Sequence, residues 1–238
     1  MDAAARRPDA AAFYATNRGG GLFSEALSQR LGAALALAGH RAGASPTALT
    51  LANLVIGLAT SVTVIALAGP VAAGSVPAWL VGLLAVVGWQ LAYGLDCADG
   101  QLARVTGRTS PAGARLDILC DVAAQIALVT ALAATAAAQR PGTPAWLLAA
   151  FAGTWLVNLV TSVLQSGPQA ASMVPSRSLP VRLVKLVRDY GALVAAAGLV
   201  LAVAPGWTVG LIAAFTVVNG GFLLASIAFA ARAGTAPR

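Results

Sequence analysis

Long apolar runs separated by short polar stretches recur six times after residue 45, over 46–69, 77–95, 114–138, 144–164, 190–204 and 207–231. Each approaches the ~20 residues that carry a helix across a hydrocarbon core. The pattern predicts an all-α integral membrane bundle of six transmembrane helices. The fifth run is short, and it can borrow Leu183, Val184, Leu186 and Val187, whose basic neighbours snorkel toward headgroups. Ahead of the first run the pattern changes. Leu27, Leu31, Leu35 and Ala38 recur at helical spacing and Ser24 stands where a cap would, which predicts an amphipathic helix lying at the membrane interface. Asp2, Asp9 and Glu25 interrupt this region, so it does not read as a signal peptide. Two units result: an N-terminal segment, 1–44, and a membrane domain, 45–238.

Composition strengthens the reading, with 58% hydrophobic and 10% charged residues. Of the 15 basic residues, only Arg140 falls on the side opposite to the rest. Because Lys and Arg are retained in cytoplasmic loops, this asymmetry places both termini in the cytoplasm and Trp79, Trp146 and Trp207 near the outer ends of helices. A net charge of +7 built from loop residues suits anionic headgroups, and nucleic acid is not an expected partner. Cys97 and Cys120 fall on the reducing side and read as small buried filler, not as a disulfide. His40, the only histidine, reads as an interfacial residue.

Against this background the acids stand out. Between Ala26 and Arg188 only four occur, Asp96, Asp99, Asp117 and Asp121, all close to the ends of two adjacent apolar runs. An ionisable group at membrane depth costs roughly 2.5 kcal/mol or more unless paired, and four carboxylates without four matching cations imply bound metal. Asp96 and Asp99 are spaced i,i+3 and Asp117 and Asp121 i,i+4, so each pair shares a helical face. Two antiparallel helices joined by a short connection can bring the pairs to one level, where they can hold Mg²⁺ or Mn²⁺, one or two ions. Gly100 and Gly113 allow close backbone approach, Ala103 keeps the groove shallow, and Arg104 offers a forked cation for a pyrophosphate.

Together these residues spell D-x-x-D-G-x-x-A-R-x8-G-x-x-x-D-x-x-x-D from Asp96 to Asp121. In this the chain resembles the CDP-alcohol phosphatidyltransferases. The resemblance implies a di-metal centre held by Asp96, Asp99 and Asp117, with Asp121 as general base and as a further candidate ligand. It implies attack by an acceptor hydroxyl on a CDP-linked donor, most simply CDP-diacylglycerol, with release of CMP. Gly100, Ala103, Arg104 and Gly113 would then form the nucleotide site. A homodimer is also suggested by the family, and the spacing of Ala123, Ala127 and Ala131 is compatible with close helix approach. One departure is Thr47 after Pro46, where family members often have Asn; Thr47, Thr50 and Asn53 remain candidates to face the nucleotide.

The acceptor is less defined. Arg182, Lys185 and Arg188 recur every three residues on a segment that Pro180 can begin, and with Arg115 they are candidates to receive a phosphorylated alcohol. Membrane anchoring explains the same stripe. Thr109, Ser110 and Pro111 point instead toward the branch that transfers choline or ethanolamine phosphate to diacylglycerol. From another class, a carboxylate-lined cation transporter would account for the acids but leaves Gly100, Ala103, Arg104 and Gly113 without a purpose.

Overall fold

The first long helix starts at Ser45, whose side chain accepts a hydrogen bond from the Ala48 N–H at 3.1 Å while Pro46 takes a first-turn position that needs no donor. Ser110 and Pro111 repeat the device further on, with Ser110 accepting from the Gly113 N–H at 3.0 Å. The computed structural model describes residues 8–17, 21–164, 186 and 189–235, and within them all regular structure is helical. The helices are α1 (Ala10–Tyr14), α2 (Gln29–Arg41), α3 (Pro46–Ala72), α4 (Ala78–Val105), α5 (Pro111–Gln139), α6 (Ala145–Leu164), α7 (Tyr190–Val203) and α8 (Thr208–Thr235). A π-helical turn, Ser24–Ser28, leads into α2, and a 3₁₀ turn, Pro205–Trp207, precedes α8.

Helices α3, α4 and α5 and the stretch Pro205–Ala228 are each long and apolar enough to cross a membrane. Among the described residues there are two shorter apolar stretches, Ala145–Val157 in α6 and all of α7. The residues offered as an extension of α7, apart from Leu186, lie outside the described residues, as do Arg182, Lys185 and Arg188. The second long helix runs to Val105 instead of ending near Leu95, so the first acidic pair is carried on a continuing helix.

Helix α4 is the hub, packed against α2, α3 and α7, while α5 lies along α3 and α6 pairs with α8. Contact between α4 and α7 is so close that a Cβ on Gly82 would overlap the backbone of Ala202. Trp89, Leu128, Leu132, Phe151, Val194 and Ile212 anchor the larger core. A smaller core of Phe13, Ala33, Ala36, Leu49, Leu95 and Leu102 fastens the N-terminal segment to the starts and ends of α3 and α4.

The N-terminal helix departs from expectation in two ways. Its buried face is the small one, Gly32, Ala33, Ala36 and Gly39, while Leu27 and Ala38 are exposed. Small residues win because α2 rests directly on α4: a Cβ on Gly32 would come within 2.6 Å of the Cys97 Cβ and 3.1 Å of the Gly94 carbonyl oxygen. Nor does Ser24 cap the helix; its side chain is bonded elsewhere, to Tyr93 and Asp189.

Candidate active site

The two acidic pairs meet through a shared partner. Helices α4 and α5 touch each other little, yet both pack along α3, which sets them side by side with a gap at the acidic end. The link between them, 106–110, is short. Gly107 adopts φ +67°, and the Arg108 N–H reaches the Ala103 carbonyl at 2.9 Å while the Gly107 N–H reaches that of Arg104 at 3.4 Å, the paired bonds of a Schellman ending.

At that end a cavity of about 200 Å³ is lined by Asn17, Gln29, Tyr93, Asp96, Cys97, Asp99, Gly100, Arg104, Asp117 and Asp121. Oxygens of Asp96, Asp99 and Asp117 lie within 4.8 Å of one another. The Asp96 carboxyl also makes side-chain hydrogen-bonding contact with both Asp117 and Asp121. Asp99 is buried and accepts a short hydrogen bond from the Thr50 hydroxyl, which fixes it from the α3 side. Arg104 folds over Gly100, where a Cβ would stand 2.9 Å from its Nη1.

Whether these residues suit a divalent ion can be judged from their own chemistry. The donor set is entirely carboxylate oxygen, the preference of Mg²⁺ and Mn²⁺. Carboxyl groups press on one another without enough cations to balance them, and Asp117 Oδ1 is buried with no hydrogen-bond partner. A hard cation fits all three observations.

The remaining sequence candidates divide. Gly100 and Arg104 line the cavity, whereas Ala103 and Gly113 do not, and the Gly113 N–H is engaged by Ser110. Arg115 is exposed and away from the lining. Thr47 is exposed and Asn53 is buried outside the lining, so of the three α3 candidates Thr50 is the one joined to an aspartate. His40 packs its ring on Phe13, with centroids 5.8 Å apart. Both cysteines are free and buried. Ala131 lies in the larger core of the chain itself.

Four residues escaped the reading of the sequence. Tyr93 is three positions before Asp96, a spacing that shares the face of Asp96, and this was the available signal. Gln29 and Asn17 reach the cavity from the N-terminal segment, Gln29 also receiving a bond from Gln101 Nε2 at 2.9 Å. Asp189 caps α7 and accepts from Ser24; an acid directly before an apolar run was its signal.

With this geometry in place, the comparison with known families is direct. The chain belongs to the CDP-alcohol phosphatidyltransferase family, whose model matches residues 44–230. It is therefore a phosphotransferase enzyme of phospholipid biosynthesis, from a family that uses CDP-alcohol donors and alcohol acceptors and generally depends on a divalent metal. No curated protein matches the chain significantly.

Proposed function

We propose that the chain transfers a substituted phosphate from CDP-diacylglycerol to the hydroxyl of a small phosphorylated alcohol, releasing CMP. The observation that carries this reading is the convergence of Asp96, Asp99 and Asp117 on one point of the cavity, with an Asp117 oxygen left without a partner. These three residues would hold the metal, with Asp121, which lines the same cavity beside Asp96, as a further ligand. When bound, two Mg²⁺ or Mn²⁺ ions supply charge neutralisation to a pyrophosphate.

The chain's own residues supply the rest. Thr50 keeps Asp99 turned into the cavity. Arg104, free of a side chain beneath it at Gly100, pairs its guanidinium with phosphate oxygens. Asp121 accepts the proton of the attacking hydroxyl at a carboxylate oxygen; the new O–P bond forms as the P–O bond to CMP breaks, and CMP leaves with the electron pair. A cavity of about 200 Å³ is smaller than the ~300–1,000 Å³ of sites that enclose a whole ligand, so it suits the phosphates, with the nucleoside and acyl chains outside.

Thr109, Ser110 and Pro111 do not favour the amino-alcohol branch, because Ser110 and Pro111 are accounted for by the start of α5. For the setting in the membrane, we read six spans over 45–238, both termini and the site on the cytoplasmic face, and α2 at the inner leaflet. The distribution of Lys and Arg and the exposed Trp79, Trp146 and Trp207 support that reading. Arg182, Lys185 and Arg188 are kept as candidates for the acceptor's phosphate. The test supplies labelled CDP-diacylglycerol with a panel of glycerol 3-phosphate, inositol 1-phosphate, free inositol and serine. The expected result is CMP and a new phospholipid with one phosphorylated acceptor, and product from CDP-choline with diacylglycerol instead would overturn it.

A further inference from the structure

Counting protons around Tyr93 assigns it a direction. Ser24 gives its N–H to Asp189 Oδ2 at 2.9 Å and its single hydroxyl proton to Asp189 Oδ1 at 2.5 Å. The Ala192 N–H also points at Oδ1, at 3.4 Å, so Asp189 meets donors only, as an ionised carboxylate requires. In the contact between Ser24 Oγ and the Tyr93 hydroxyl, 3.1 Å, the proton must therefore come from Tyr93. With its one proton committed to Ser24, the Tyr93 oxygen keeps its lone pairs for another donor, and the residue lines the cavity. The Cys97 sulfur is a further neighbour of the Tyr93 hydroxyl, and as a weak hydrogen-bonding partner it competes little for that group. The cavity is also lined by the neutral amides of Asn17 and Gln29, and Gln90, on the helix that carries Tyr93, receives a bond from Ser28 Oγ at 3.3 Å and donates to the Gly191 carbonyl at 2.6 Å, tying that helix to the π-helical turn and to α7.

We propose that Tyr93 is a specificity residue that accepts a hydrogen bond from a substrate hydroxyl, kept in that role by Asp189 acting through Ser24. The wall it belongs to takes the hydroxyl-bearing part of a ligand, and the aspartates and Arg104 take the phosphate-bearing part. The inference rests on the reading of the cavity as the transferase site. Such a hydroxyl has two sources, the ribose of the cytidine nucleotide or the alcohol acceptor.

Tyr93→Phe keeps the ring against Tyr190, 4.9 Å between centroids, and removes only the oxygen; Ser24→Ala frees the Tyr93 proton to turn inward. The full chain in detergent with Mg²⁺ is titrated with CMP and with 2′- and 3′-deoxy-CMP, and KM is measured for the panel acceptor of highest turnover. For the loss of one hydrogen bond, Tyr93→Phe should weaken binding of its ligand by about tenfold and Ser24→Ala by about threefold. The double variant should match Tyr93→Phe alone, since both act through one oxygen. A weakened CMP affinity with unchanged affinity for one deoxy-CMP identifies ribose; unchanged CMP affinity with raised acceptor KM identifies the alcohol. Wild-type values in both arms, or losses that multiply in the double variant, overturn the proposal. Asp96→Ala in the same assay separates the levels: retained turnover there removes the active site itself, whereas lost turnover alongside an unaffected Tyr93→Phe removes only the role of Tyr93.

Discussion

Asp99 and Asp189 are both buried, the first within a group of half-buried acids and the second alone, and their surroundings differ in kind. Asp189 is met by the Ser24 N–H, the Ser24 hydroxyl and the Ala192 N–H, so its charge is distributed over donors and nothing further is needed. Asp96, Asp99 and Asp117 are met chiefly by one another, with Asp121 pressed against Asp96. One carboxylate is a finished piece of structure; the cluster is finished only by something brought from outside. Burial of an acid is thus no sign of function by itself, and the sign of its neighbours decides.

The contrast can be broken experimentally. The largest effect is expected for Asp96→Ala, which should lower CMP formation by about a thousandfold or more and abolish divalent-ion binding measured by calorimetry. Asp121→Asn should cost on the order of a hundredfold or more in kcat while leaving ion affinity nearly intact, and full turnover in that variant would remove its role as base. Asp189→Ala should act oppositely, lowering the thermal unfolding midpoint by the equivalent of about 3 kcal/mol because Ser24 and the α7 cap lose their acceptor, with ion binding retained. Smallest, and most pointed, is Asp96→Ala in the presence of a chelator. Relief of repulsion should make it more stable than the parent chain, by about 1 kcal/mol; a loss of stability there would place the cluster in the same category as Asp189.

Much of this was legible in the sequence for identifiable reasons. The motif was readable because its aspartates pair at helical spacing, i,i+3 and i,i+4, and the starts at Pro46 and Pro111 because Ser-Pro is a strong local signal. The end of α4 was misplaced because acids were taken to mark the edge of the apolar run, whereas the helix continues through them to Val105. In the N-terminal helix the fully buried positions are small, because contact with α4 at Gly94 and Cys97 leaves little room, and of the apolar stripe read in the sequence Leu31 and Leu35 are half-buried while Leu27 and Ala38 are exposed. Ser24, read as a cap, and Asp189, passed over, are partners across 165 positions of chain, and no local pattern reveals a pairing at that distance. Arg115 was proposed from its nearness in sequence to the motif; it is exposed and is not among the residues lining the cavity.

The short link 106–110 has a consequence for the integrity of the chain. Since α5 is clasped by α3, and α3 by α4, the aspartates do not depend on the covalent connection between their helices. Arg108 and Thr109 are both exposed, so a protease can reach the peptide that joins them. A molecule nicked there should stay as two associated fragments with its centre assembled, and separately expressed halves ending and beginning at that bond should complement each other in one bilayer.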